Sequence, residues 1–304
     1  MSLRLPSRWL WDFWFARDGD DVHVFYLQAP RTLGDPDLRH HNATVGHAVS
    51  RDLRSWRVLP DALAPGAPGE FDDLATWTGS VLCRSGRWHL FYTGVSRTER
   101  GAVQRIGHAM SDDLLGWEKQ GMVLEADPRF YEKLAPGVAV EHWRDPWVEW
   151  DEASDRFHML LTAHAHSGPP GLLGVIGHAT SRDGHTWEAG PPLSPPGYFD
   201  QLEVPQLLHL GGAWRILFST MEREGGTHYL TGEAAFGPYA LTRGDFLVGG
   251  PGRRHYAGRL IEHRGAWQFL AWLLYDERTG FVGELSDPMP LRVGADSSLI
   301  VDVR

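Results

Sequence analysis

One eleven-residue signature recurs three times along the chain and constrains its fold more than any other feature. Gly46-His47-Ala48-Val49-Ser50-Arg51-Asp52 runs ahead of Trp56, Gly107-His108-Ala109-Met110-Ser111-Asp112-Asp113 ahead of Trp117, and Gly177-His178-Ala179-Thr180-Ser181-Arg182-Asp183 ahead of Trp187. The copies lie 61 and 70 residues apart. Small residues at Gly-His-Ala suit a strand packed closely on its neighbour. Ser and Asp then turn the chain by bonding nearby backbone amides. The Trp is expected on the following strand, filling the gap between adjacent sheets.

A second pattern, a turn followed by an aromatic-rich alternating run, occurs five times. The copies are Asp21–Tyr26, Gly86–Tyr92, Asp155–Leu161, Gly212–Phe218 and Gly265–Ala271. Each reads as a short strand bounded by turn residues, and no long stretch of helical period competes. Five repeats of short strands predict an all-β five-bladed β-propeller, which manages sheet edges by radial repetition. The expected blades are 8–60, 71–120, 140–190, 199–245 and 254–292, with Pro- and Gly-rich inter-blade loops at 61–70 and 190–198. The run Ser298–Val303 is expected to help close the ring by pairing with a terminal blade. No linker divides the chain, so residues 1–304 are read as one domain.

Composition narrows the function. Thirty-nine acidic residues against 29 Lys and Arg give a net charge of -10, and no basic stripe offers itself to nucleic acid. The one cysteine, Cys83, excludes an intrachain disulfide. The first nine residues hold no apolar signal region, and the longest apolar run, Trp267–Tyr275 broken by Gln268, is too short to span a bilayer. A cytoplasmic protein without a membrane partner is expected; the oligomeric state is open. Histidines are plentiful, 16 in all. Those of the signature fall on different blades and cannot share an ion, so they read as structural. No metal or other cofactor is expected.

The chemistry should lie where the innermost strands open at the channel mouth. Blade 1 opens with Trp9-Leu10-Trp11-Asp12-Phe13-Trp14-Phe15, blade 3 with Trp143-Arg144-Asp145-Pro146-Trp147, and blade 4 with Asp200-Gln201-Leu202-Glu203-Val204-Pro205. Blade 2 contributes Trp77-Thr78-Gly79-Ser80, which holds no carboxylate, and blade 5 His255-Tyr256-Ala257-Gly258-Arg259. An acid in an apolar strand is costly unless it is paired or used. Cleavage of a glycosidic bond needs two carboxyl groups, and a third can brace the sugar. Fourteen Trp residues also suit an aromatic sugar-stacking wall.

These segments resemble glycoside hydrolase families 32 and 68, the invertase, fructanase and levansucrase group. Trp11-Asp12-Phe13-Trp14 resembles the W-D-S-W-P of family 68, and retains the Trp and Asp of the family 32 opening W-M-N-D-P-N-G. Arg144-Asp145-Pro146 matches the R-D-P of both families. Asp200-x-x-Glu203-Val204-Pro205 resembles D-x-x-E-R-P and E-C-P-D, with Val204 in place of Arg or Cys. Trp77-Thr78-Gly79-Ser80 resembles the S-G-S segment. The resemblance implies a five-bladed propeller, here without the C-terminal β-sandwich that full family 32 enzymes add. It implies a retaining hydrolase of β-fructofuranosides such as sucrose or fructo-oligosaccharides, possessing a capacity for fructosyl transfer. Asp12 would be the nucleophile and Glu203 the acid/base, with Asp145 holding sugar hydroxyls. Arg144, Trp11, Trp14, Trp77, Ser80 and Trp143 would contact the small carbohydrate substrate. Two other readings stay open. One is an inverting arabinofuranosidase or xylosidase of the related family 43. The other is a sugar-binding propeller without catalysis.

Overall fold

The computed structural model describes residues 3–222, 225–241, 246–249 and 254–303. Among the described residues, five antiparallel sheets follow one another in chain order, and the strand pairing of each stays within that sheet. Blade 1 comprises Arg8–Asp18, Asp21–Pro30, Thr44–Ser50 and Arg57–Leu63; blade 2 comprises Ala75–Arg84, Arg87–Val95, Gln104–Ser111 and Glu118–Leu124. Blade 3 comprises Trp143–Asp151, Arg156–His164, Gly174–Ser181 and Trp187–Gly190. Blade 4 comprises Glu203–Leu210, Ala213–Thr220 and Gly226–Ala234, plus an outer strand split into Gly237–Ala240 and Phe246–Gly249. Blade 5 comprises His255–His263, Ala266–Asp276 and a third strand split into Gly280–Leu285 and Met289–Val293.

Four expected boundaries need correction. Blade 1 runs on to Leu63, into the expected 61–70 loop, and blade 2 runs on to Leu124. Blade 4 extends past residue 245 to Gly249, while its expected end at 242–245 lies outside the described residues. Blade 5 extends past residue 292, because Leu299–Val301 pairs with Met289–Val293 as its outer strand. The C-terminal run thus pairs with a terminal blade as expected, but it completes blade 5 rather than joining it to blade 1. The ring meets side by side instead. The Leu285 amide donates to Leu3 O at 3.1 Å, and Arg31 donates to Val282 O at 3.0 Å.

The local chemistry explains the repeats. Ser85-Gly86, Gly211-Gly212 and Arg264-Gly265 form two-residue hairpin loops with positive φ at both positions, the conformation that matches strand twist. Gly46 and Gly107 admit a tyrosine from the adjoining strand: a Cβ there would lie 2.3 Å from the Tyr26 ring and 2.5 Å from the Tyr92 ring. The signature Asp closes its turn, Asp52 Oδ1 accepting from the amides of Arg54 at 2.8 Å and Ser55 at 2.7 Å. Trp117 packs edge-on against Phe25 of blade 1 at 5.8 Å, and Trp187 against Phe91 of blade 2 at 5.4 Å. Trp117 and Trp187 thus each seal one blade to the one before it.

The signature histidines are structural in a specific way. Each meets a second histidine on the neighbouring strand: His47 with His23 at 2.8 Å, His108 with His89 at 3.0 Å, and His178 with His158 at 3.0 Å. A neutral pair satisfies one ring nitrogen of each partner, which its buried setting requires. No helix among the described residues is long and apolar enough to cross a membrane.

Candidate active site

The innermost strand of every blade breaks its register at the same place. In blades 1, 2, 4 and 5 the break falls between Trp11 and Phe13, Trp77 and Gly79, Glu203 and Gln206, and Tyr256 and Arg259. In blade 3 it skips Asp145 and Pro146, since Arg144 pairs with Thr162 and Trp147 with Leu160. Bulges of this kind re-aim side chains at sheet rims. The residue at the break has positive φ in four blades: Asp12 at 20°, Asp145 at 57°, Val204 at 51° and Ala257 at 49°. None is a glycine, so the backbone is strained at the rim of the channel. This register separates the three acids. Asp12, Thr78 and Asp145 occupy the bulge, whereas Glu203 sits one residue earlier, level with Trp11, Trp77, Arg144 and Tyr256.

The bulges bring the three acids to one cavity of about 520 Å³ at the mouth, lined also by Trp11, Trp77, Thr78, Arg144, Gln201 and His142. Asp12 is gripped at both oxygens. Thr78 Oγ1 donates to Oδ2 at 3.0 Å and Trp272 Nε1 donates to Oδ1 at 3.0 Å. Burial pushes its carboxyl up to about 7, with further lift from Asp145 and Glu203, against the opposing pull of Thr78 and Arg39. Asp145 is 3% exposed, and its Oδ2 accepts from Thr162 Oγ1 at 2.9 Å and the Val204 amide at 3.1 Å. Burial raises its pKa too, while Arg144 opposes that shift. Glu203 accepts from Arg144 Nη2 at 2.8 Å through Oε1 and from the Tyr256 hydroxyl through Oε2.

Arg144 ties these groups together. Its Nη1 donates to Gln104 Oε1 at 3.3 Å and to His142 Nδ1 at 2.8 Å. Its Nη2 donates to Gln201 Oε1 at 2.6 Å and to Glu203, and Nε lies 3.5 Å from Asp145 Oδ2. Every terminal N–H is thus committed to a protein acceptor. Deeper in the channel lies Arg259, 1% exposed, donating to Phe13 O at 3.2 Å and Pro205 O at 2.6 Å, with its guanidinium over Trp147. Burial lowers its pKa to about 10, while the charges of Asp145 and Asp12 support its ionised form. A buried cation near Asp145 and Asp12 offsets part of their mutual repulsion.

Six of the sequence-predicted residues meet here: Asp12, Asp145, Glu203, Arg144, Trp11 and Trp77. Three do not. Trp14 is fully buried and stacks on Phe25 at 6.2 Å, because the bulge at Asp12 turns it into the blade. Trp143 is fully buried against Tyr131 at 4.5 Å. Ser80 accepts from the Val148 amide at 3.1 Å and joins blade 2 to blade 3. Sequence reasoning passed over Thr78, Tyr256, Trp272, Gln201 and Arg259. Thr78 and Tyr256 were discoverable by aligning the five inner strands. Trp272 lies on a second strand and joins the site only because it pairs with Tyr256. Among the described residues no three His, Cys, Asp or Glu side chains are arranged to hold a metal ion.

A five-bladed propeller with three acids converging at its mouth is the architecture of a sugar-processing class. The model of the glycosyl hydrolases family 32 N-terminal domain matches residues 15–276, and the chain belongs to that family. It is 27% identical over 268 residues to a sucrose-6-phosphate hydrolase of Bacillus subtilis, a match covering 83% of this chain and 51% of that protein. It is 28% identical over 200 residues to a cell wall isozyme of β-fructofuranosidase from Zea mays, covering 62% of this chain and 30% of that protein. The chain therefore spans about half or less of the length of these relatives. Among solved structures, inulosucrase from Halalkalicoccus jeotgali bound to kestose shares the fold with a TM-score of 0.77 and 22% identity, over 98% of this chain and 87% of that one.

Proposed function

We propose that the chain is a retaining glycoside hydrolase of β-fructofuranosides, with Asp12 as nucleophile, Glu203 as acid/base and Asp145 as the carboxylate that holds sugar hydroxyls. The convergence of these three acids from three blades in one cavity carries the reading. The names of the Bacillus subtilis and Zea mays relatives support a fructosyl substrate.

In the first step an Asp12 oxygen bonds the anomeric C2 of the fructosyl unit as the bond from C2 to the leaving oxygen breaks. Glu203 passes its proton to that oxygen. In the second step water gives a proton to Glu203 as its oxygen bonds C2 and the ester to Asp12 breaks. Two displacements restore the starting configuration. A sugar hydroxyl in place of water gives fructosyl transfer. Positive charge developing at C2 is stabilised by ionised Asp12 and Asp145. The paired donors on Asp12 keep its attacking oxygen in place, and Arg144 and Tyr256 do the same for Glu203. Trp11 and Trp77 supply the aromatic wall.

The test is a panel of sucrose, inulin- and levan-type oligosaccharides and aryl arabinofuranosides, each offered to the unsubstituted chain and to Asp12→Asn and Glu203→Gln. Fructose release that collapses by about 10²–10⁴-fold in both variants is expected. Turnover of the arabinofuranosides alone overturns the fructosyl reading. Sugar binding without turnover of any glycoside overturns catalysis.

A further inference from the structure

The wall of the cavity beside Arg144 holds a group that the proposed chemistry does not use. His142 lines the cavity, and its Nδ1 lies 2.8 Å from Arg144 Nη1. A guanidinium only donates, so Nδ1 is the acceptor and the ring proton must sit on Nε2. The ring is neutral as well as tautomerically fixed. Burial first, then Arg144 and His164, push its pKa down to about 2.

Its orientation is held from behind. The His142 ring lies against the His164 ring, with centroids 4.0 Å apart. His164 is itself clamped, Nδ1 lying 3.2 Å from Glu132 and Nε2 2.9 Å from Asp200 O and 2.8 Å from Gln201 Nε2. No partner for His142 Nε2 occurs among the described residues. Two neighbouring acceptors of the wall are already engaged: Gln201 Oε1 and Gln104 Oε1 both accept from Arg144.

From this we infer that His142 is a specificity residue for the leaving group, its Nε2–H donating to a hydroxyl oxygen of a neutral sugar on the departing side of the scissile bond. The position follows from Arg144. One terminal nitrogen of its guanidinium holds Glu203, which faces the leaving oxygen in the proposed reaction, and the other holds His142. A polyol leaving group seated on Glu203 therefore brings its next hydroxyl to His142. An aromatic leaving group has no hydroxyl to offer there.

This inference rests on the reading of the site as a β-fructofuranosidase. The experiment compares kcat/KM for sucrose with that for 4-nitrophenyl β-fructofuranoside in the unsubstituted chain, His142→Ala and His142→Gln. His142→Ala is expected to lose roughly tenfold more on sucrose than on the aryl substrate, the size of one neutral hydrogen bond, with the excess falling mainly on KM. His142→Gln keeps an acceptor for Arg144 and a donor for the cavity, and is expected to recover most of the excess. Equal losses on the two substrates, or a Gln variant no better than Ala, show that His142 only supports Arg144 and overturn the subsite. Thermal melting of both variants identifies any loss due to misfolding, and the aryl substrate supplies the internal reference. Failure of the unsubstituted chain to cleave either substrate overturns the reading of the site itself, and the subsite with it.

Discussion

Thr78 makes the sharpest prediction, because it isolates one hydrogen bond to the proposed nucleophile. Its hydroxyl donates to Asp12 Oδ2 at 3.0 Å and pulls the Asp12 pKa down. Thr78→Val removes the hydroxyl and keeps the shape, which matters at a site 1% exposed. A hydrogen bond to a charged acceptor contributes roughly 1.5–3 kcal/mol, and about 1.4 kcal/mol is one unit of pKa. The bond thus accounts for about one to two units. Asp12 faces the cavity, where water replaces part of the lost bond, so the lower figure applies. Asp12 must be ionised to attack, and its pKa stands at about 7 in the free chain. The acid limb of kcat/KM for sucrose, which reports the free protein, is therefore expected near 7 and should move up by about one unit in Thr78→Val. Thr78→Ser retains the hydroxyl and should leave the limb in place. A valine variant that folds, cleaves sucrose and keeps the original limb refutes the assignment of that limb to Asp12.

Three other outcomes follow from the same structure. Trp14→Ala removes a fully buried indole from the blade 1 core and should lower the unfolding free energy by about 3–5 kcal/mol in denaturant titration; a change below about 1 kcal/mol would place Trp14 elsewhere. Arg259→Met leaves Phe13 O and Pro205 O without their donor and removes the cation beneath the acids, so stability should fall by roughly 2–5 kcal/mol and the acid limb of activity should rise. Burial, then the partner histidine, pulls His47 and His108 down to about 3 and His178 to about 4. Unfolded histidines take up protons below about 6.5 while these three do not, so their contribution is complete above that pH and is lost as pH falls toward their folded values. The melting temperature should decline steadily across that window, and a flat profile contradicts the neutral histidine pairs.

The propeller was legible because its repeats are local. Gly46, Gly107 and Gly177 precede the same turn chemistry, and hairpins such as Ser85-Gly86 state their conformation in two residues. Blade 5 was cut short because its outer strand, Leu299–Val301, is three residues long and follows a divided third strand. The acids stood out as carboxylates in apolar strands. Their surroundings did not, since side-chain direction depends on a bulge that alternation cannot foresee. Trp14 and Ser80 looked like site residues because they lie within two positions of Asp12 and Thr78. The bulge turns both away, to Phe25 and to the Val148 amide. Trp272 and His142 enter through contacts across 260 and two positions respectively, and neither sits in the segments where acids drew attention.

The central claim is that Asp12 and Glu203 cleave a β-fructofuranoside by double displacement. Its most direct test is to incubate the chain with sucrose and methanol and to follow the anomeric configuration of the first-formed product by NMR. Methyl β-fructofuranoside, absent with Asp12→Asn, is the predicted product. Methyl α-fructofuranoside as the first product, or sucrose left intact while an arabinofuranoside is consumed, would contradict the account.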